Sequence, residues 1–157
     1  VISLNEKISD AIRRAHDFLT VGASAPLQQA IITGLQFPRQ YYSQLTSEYQ
    51  TRRDFTLSII GESGFNFVTP QGAYYIMAEY PNCGYPDDLD FSMFMAKDVG
   101  VTPVPGRAFY HNLDLGKRFI RFAFPKKRET LEVVRDRLAK LSQFVPSSIS
   151  SDKRSEI

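Results

Sequence analysis

Arg121 is the residue whose setting most demands a chemical partner. It lies inside the run Lys117-Arg118-Phe119-Ile120-Arg121-Phe122-Ala123-Phe124-Pro125. β-Branched and aromatic residues dominate this run, Gly116 precedes it and Pro125 ends it, which predicts a strand. Period-2 alternation puts Arg118, Ile120, Phe122 and Phe124 on one face, and Phe119, Arg121 and Ala123 on the other. A guanidinium in the middle of an apolar strand must find an anion, because an unpaired buried charge costs several kcal/mol. Its planar fork matches a carboxylate, either of this protein or of a ligand. Position alone favours the internal partner.

Other chemically capable residues carry less. His16 and His111 lie far apart, and no Cys or His is spaced to complete a zinc set. His16 reads as a helix-surface residue and His111 as a loop residue. Ser63, in Gly61-Glu62-Ser63-Gly64-Phe65, misses the Gly-x-Ser-x-Gly spacing and follows a helix rather than a strand, which argues against a serine hydrolase. Lys126-Lys127-Arg128 reads as a solvated helix start. The 157 residues suffice for one ordinary domain with a sizeable core, and 43% hydrophobic content makes the chain globular. With 19 basic and 17 acidic residues interspersed and a net charge of +2, nothing points to nucleic acid or to a membrane surface. No apolar run approaches the roughly 18 residues that span a bilayer. Cys83 is alone, which excludes an internal disulfide framework and fits a reducing cytoplasm.

The elements that must position Arg121 follow from periodicity. Asn5 caps a first helix with Glu6 in its first turn, and Ile8, Ile12, Ala15 and Leu19 recur at helical spacing. Residues 20–26 break the pattern; Ser24 and Pro26 then open a second helix through Leu27, Ala30, Ile31 and Leu35. Pro38 opens a long helix lined by Tyr41, Tyr42, Leu45, Tyr49, Phe55 and Ile59, with Gly61 or Gly64 as its stop. Residues 65–68 and 73–80 are apolar runs joined by a Pro-Gln-Gly turn, which suggests a hairpin. Asp90 is expected to cap a helix over residues 91–97, followed by a loop over 99–110. Leu131, Val134, Leu138 and Leu141 predict a last helix over residues 129–144. Gly72 and Gly106 read as turn glycines that need a positive φ or a close backbone approach. Tyr74 and Tyr75 alternate across a strand, so one faces the core while the other can reach a cleft.

Three stretches together resemble a known family. The turn Thr69-Pro70-Gln71-Gly72-Ala73-Tyr74-Tyr75, the loop Gly100-Val101-Thr102-Pro103-Val104-Pro105-Gly106-Arg107-Ala108-Phe109-Tyr110 and the strand Ile120-Arg121-Phe122-Ala123-Phe124 occur in one order, followed by an amphipathic helix. They are similar to the carboxyl-terminal part of class I/II aminotransferases, pyridoxal-phosphate (PLP) enzymes of fold type I, and the likeness covers roughly residues 1–143. It implies an α+β small domain with a long connecting helix, and helices left from a larger domain. Residues 1–36 are then the end of the large PLP-binding domain and 37–63 the interdomain helix. Residues 64–145 form the small substrate-closing domain, and 146–157 a polar tail. It also implies that Arg121 holds the substrate α-carboxylate, which tips the reading of this residue toward a ligand. Gly72, Gly106, Tyr74 and Phe109 become candidate residues of the substrate cleft. Arg107 stands where the family often has a small residue, and is expected to be solvated.

The resemblance implies an enzyme of amino-acid metabolism that moves an amino group from an α-amino acid to a 2-oxo acid, in a cytoplasmic homodimer. PLP chemistry needs a lysine as Schiff base. In the family that lysine lies just upstream of a Gly-x-Arg-x-Gly stretch ending in a core strand. None of Lys7, Lys97, Lys117, Lys126, Lys127, Lys140 and Lys153 has that context. Val1-Ile2-Ser3 looks like the end of the strand that follows the lysine stretch, so the chain is expected to carry the substrate clamp, to lack the catalyst and to be inactive alone. Residues 18–26 hold no cation where dicarboxylate-specific relatives place an arginine, and the aromatic residues Tyr74, Tyr75, Phe109 and Tyr110 lean toward neutral or aromatic donors. Two alternatives stay open. One is a non-catalytic carboxylate-binding or assembly module of the same fold; the other is a related PLP-dependent decarboxylase or acyltransferase.

Overall fold

In the computed structural model, residues 3–20 and 22–143 are described. The chain divides into two compact units, Val1–Gln44 and Leu45–Ile157. The expected strand end at Val1 and Ile2 and the expected polar tail at residues 146–157 lie outside the described residues.

Helices α1 (Glu6–Leu19) and α2 (Ala25–Leu35) belong to the first unit. The Asn5 side chain accepts from the Ile8 backbone N–H at 3.2 Å, which caps α1 as its sequence foretells. Pro26 sits in the first turn of α2, where its missing N–H leaves no hydrogen bond unmade. Neither helix buries a residue, and Leu19, Leu27, Ile31 and Leu35 are exposed.

Helix α3 (Arg39–Glu62) runs for 24 residues, about 36 Å at about 1.5 Å per residue. Gly61 stays inside it, and Gly64, at φ +82°, is the residue that lets the chain turn away. From Tyr49 onward α3 meets the core: Ile59 and Ile60 are buried in it, and Tyr49, Phe55 and Leu57 pack against it.

The sheet of the second unit has four strands, β1 (Asn66–Phe67), β2 (Tyr75–Glu79), β3 (Val104–Pro105) and β4 (Phe119–Ala123), in the order β1-β2-β4-β3. Every neighbouring pair is antiparallel. Alternation along the two central strands decides which face is covered. Ile76, Ala78, Ile120 and Phe122 point into one core with Ile59, Ile60, Phe91, Phe94, Leu131 and Leu138, so α3, α4 (Asp88–Phe94) and α5 (Arg128–Leu138) cover that face. Tyr75, Met77, Glu79, Phe119, Arg121 and Ala123 occupy the opposite, half-buried face.

Several element boundaries differ from expectation, each for a local reason. Helix α4 is capped by Asp87, not Asp90: the Asp87 carboxylate accepts from the backbone N–H groups of Leu89 and Asp90 at 2.9 and 3.0 Å. A π turn over Met95–Val99 continues it, and Gly100 at φ +77° ends it. The loop expected over residues 99–110 contains β3 and a 3-10 turn, Gly106–Phe109. Helix α5 stops at Leu138, and Leu141 reaches the core from a separate 3-10 turn, Leu141–Gln143.

The start of β4 is anchored from the core side. The Tyr80 ring stacks on Phe91 with centroids 4.2 Å apart, and its hydroxyl donates to the Lys117 carbonyl at 3.0 Å. Arg118 lies over the same ring, 4.3 Å from its centroid, and donates to the Tyr80 carbonyl at 2.9 Å. Burial raises the Tyr80 hydroxyl above its ordinary pKa, against the lowering influence of Arg118. These contacts hold the chain at Lys117 and Arg118, just ahead of the strand that carries Arg121.

Candidate functional site

Arg121 sits on β4 between two neighbours, opposite Met77 of β2 and Val104 of β3. Its Nε is buried and has no hydrogen-bond partner among the described residues. Among the described residues, no carboxylate takes the internal role that position alone favours. Two rings lie against the guanidinium instead: its Cζ is 4.5 Å from the centroid of Phe109 and 5.1 Å from that of Tyr75. Such contacts attract a cation electrostatically but satisfy none of its N–H donors in the plane.

Tyr75 reaches the guanidinium because the Arg121 face of β2 begins with it. Tyr74 stands one residue earlier, exposed, with its ring edge-on to Tyr75 at 5.6 Å. The structure thus brings Tyr75, not the candidate Tyr74, to Arg121. The phase is set in the preceding turn, where Ala73 adopts φ +63°, a conformation an L side chain seldom takes. Gly72 does not have a positive φ, and an added Cβ there would meet nothing within 4 Å. It lines a shallow groove with Tyr49, Arg53 and Phe124. The Arg53 side chain donates to the Pro70 carbonyl at 3.0 Å, tying this turn to α3.

Phe109 comes from the other side, on the turn Gly106–Phe109. Gly106 is there for close approach: a Cβ would lie 2.4 Å from the Phe119 carbonyl oxygen and 2.6 Å from that of Gly116. Gly116 meets the turn in return, since its own Cβ would fall 2.5 Å from the Arg107 backbone N.

Arg107 is not solvated as expected, but clamped. Its backbone N–H and its Nε–H donate to the two carboxylate oxygens of Asp88, at 2.8 and 2.6 Å, and its Nη2 lies 2.6 Å from Asp87 Oδ2. Asp88 is fully buried. The Arg107 hydrogen bond, helped by the Asp90 backbone N–H, holds the Asp87 carboxyl below its ordinary pKa. Sequence reasoning missed this cluster, whose only local signal is the pair Asp87-Asp88 ahead of an apolar helix.

The described lysines, Lys7, Lys97, Lys117, Lys126, Lys127 and Lys140, are all exposed. A Schiff-base lysine is activated by desolvation or by a neighbouring cation in a pocket. None of the described lysines is desolvated in this way. His16 and His111 are both exposed, and no cluster of metal-ligating side chains occurs among the described residues. The Ser63 hydroxyl donates to the Ile59 carbonyl at 2.8 Å, a helix-end role. No described helix is long and apolar enough to cross a membrane.

Comparison with known proteins bears on this arrangement. The sequence profile described as aminotransferase class I and II matches residues 1–138. The chain is 28% identical to methionine aminotransferase of Escherichia coli, a match covering 85% of this chain and 34% of that protein. It is also 28% identical to kynurenine–oxoglutarate transaminase of Dictyostelium discoideum, over 87% of this chain and 36% of that one. The fold superposes on N-succinyldiaminopimelate aminotransferase of Mycobacterium tuberculosis with a TM-score of 0.75 at 28% identity, covering 86% of this chain and 35% of that structure. The chain therefore spans about a third of the length of these relatives. Its small antiparallel sheet with helices on one face is an α+β fold shared with fold type I aminotransferases. With the profile matched over most of its length, this chain belongs to the class I and II aminotransferase family.

Proposed function

We propose that this chain supplies the substrate-carboxylate arm of an enzyme that uses PLP to move an amino group from an α-amino acid to a 2-oxo acid. Arg121 binds the substrate α-carboxylate through the two parallel hydrogen bonds that a guanidinium offers a planar anion. One observation carries the reading. A buried guanidinium nitrogen on the open face of the sheet lacks a partner among the described residues, although rings on two neighbouring elements fix its place. Holding the carboxylate orients the Cα–H for removal by a base, a proximity effect that needs no other group from this chain. Tyr75 and Phe109 position the fork, and Gly106 lets the Phe109 turn come close.

The donor in this proposal is neutral or aromatic. No cation stands in residues 18–26, the surroundings of Arg121 are aromatic, and relatives act by name on methionine and kynurenine. PLP is held by residues other than the described ones, and the chain does not catalyse transfer by itself. The exposure of all six described lysines supports this. In the whole enzyme, residues 1–36 extend the large domain, 37–63 connect, and 64–145 close over substrate. The exposed apolar residues of α1 and α2 are covered in a homodimer. The lone buried Cys83 suits the cytoplasm.

The experiment is calorimetric titration of the chain and of Arg121→Ala with phenylpyruvate. Charged hydrogen bonds of this type are worth about ten- to a hundredfold in affinity, so the variant should lose measurable binding. An affinity left unchanged would sink the assignment. Reduction with borohydride after incubation with PLP should leave every lysine unlabelled; stoichiometric labelling of one lysine overturns the view that PLP is held elsewhere.

A further inference from the structure

The Asp87-Asp88-Arg107 cluster has no part in the function proposed so far, yet it holds the turn that carries Phe109. Phe109 is 44% exposed, so core packing does not fix its ring. What fixes its turn is polar. Two residues before Phe109, Arg107 is hydrogen-bonded through its backbone N–H and its Nε–H to the buried Asp88 carboxylate, and its Nη2 is ion-paired with the half-buried Asp87. The Tyr110 N–H closes the turn on the Arg107 carbonyl at 3.3 Å. On the other side the Gly106 and Gly116 backbones meet too closely for any side chain, so the turn cannot slide along β4.

We propose that Asp88 and Arg107 are positioning residues that latch the Gly106–Phe109 turn onto α4 and so hold the Phe109 ring against Arg121, pre-orienting the guanidinium for a substrate carboxylate. The carboxylate half of this statement rests on the reading of Arg121 given above. The latch works through bidentate geometry: the two oxygens of Asp88 are taken by two groups of one residue, which fixes both the backbone and the side chain of Arg107. An ammonium at position 107 keeps the charge but not the fork. With Phe109 and Tyr75 against the guanidinium, its rotation is restricted before any ligand arrives, and ordering completed in advance does not subtract from binding.

The test reads the Arg121 Nε–H resonance in the nitrogen-15-labelled 157-residue chain; burial of Nε protects this proton from exchange. Phe109→Ala removes the ring and measures its ring-current contribution. Asp88→Asn keeps the size of the side chain but removes its charge and turns one of the two acceptor oxygens into an NH2 donor facing an Arg107 N–H, and should move the Arg121 signal at least halfway toward its position in Phe109→Ala. Arg107→Lys should move it part of that distance. Phenylpyruvate should bind Asp88→Asn about two- to fivefold more weakly than wild type, the size of a lost cation–ring contact, with Arg107→Lys intermediate. An Arg121 signal that stays in place in Asp88→Asn while Phe109→Ala moves it overturns the latch. So does a signal that Phe109→Ala itself leaves unmoved. If Asp88→Asn gives no dispersed spectrum, the shift in Arg107→Lys decides in its place. Phenylpyruvate that leaves the wild-type Arg121 signal untouched refutes the carboxylate reading alone, and the latch is then judged on the variant shifts.

Discussion

Two arginines of the second unit show opposite ways of keeping a guanidinium inside a protein. Arg107 has an internal answer for its charge: two carboxylates, one fully buried, take its side chain and its backbone N–H. Arg121 is held by rings, and its Nε has no hydrogen-bond partner among the described residues. The first arrangement commits the backbone N–H and Nε–H to Asp88 and pairs the charge of Nη2 with Asp87, although Nη2 makes no well-aligned hydrogen bond among the described residues. The second leaves a buried donor unsatisfied, and in the function proposed above that donor is kept for a molecule from outside. On the proposed function, one chain thus separates a guanidinium that builds the site from one that the site presents.

The largest difference should appear in stability. Asp88→Ala removes the buried partner of Arg107, and breaking a buried ion pair from one side costs about 3–5 kcal/mol. Arg121→Ala loses two ring contacts but also discards an unsatisfied donor, and its stability should stay within about 1 kcal/mol of wild type. Urea unfolding followed by circular dichroism measures both. Equal losses in the two variants would erase the distinction between a structural and a presented arginine.

A middle-sized effect separates the two turns that bring the rings to Arg121. Gly106→Ala forces a Cβ against the Phe119 and Gly116 carbonyl oxygens, where backbone on both sides must yield. Overpacking of this kind costs about 1–3 kcal/mol. Gly72→Ala meets open space without a positive φ, and should be close to neutral. Thermal melts of the two variants decide the matter. If they melt together, close approach is not what keeps Gly106.

Legibility in the sequence follows the range of the interaction. Alternation in residues 119–123 is local, and by itself it puts Arg121 and Ile120 on opposite faces. Helical spacing does the same service for α1 and α2, and Asn5 is readable as a cap because its partner is three residues away. The cap of α4 is not readable in this way, because Asp87 and Asp90 are equally good local acceptors. What distinguishes them is Arg107, which binds Asp87 and Asp88 from far along the chain. Strand β3 has two residues, one of them Pro105, too few for any periodicity to show. The pair Tyr74-Tyr75 is half legible. Period 2 guarantees that one tyrosine faces Arg121, but which one depends on where the strand begins.

That starting point leads to the smallest effect. Strand β2 begins at Tyr75 after Ala73 turns the chain at φ +63°, while the neighbouring Gly72, which has no Cβ to resist such a turn, does not take it. A left-handed L residue costs about 1–2 kcal/mol, and glycine would remove that strain while adding freedom to the unfolded chain. Ala73→Gly should therefore stabilise the chain by no more than about 1 kcal/mol. Strain retained at a turn that sets the phase of a binding residue has a use only if the phase matters. The Ala73→Gly variant should accordingly gain stability and bind phenylpyruvate no better, because the added freedom at residue 73 loosens the approach of Tyr75 to Arg121. A variant that gains both stability and affinity would show that Ala73 is a tolerated defect and that the Tyr75 side of the site, unlike the latched Phe109 side, is not held by its turn.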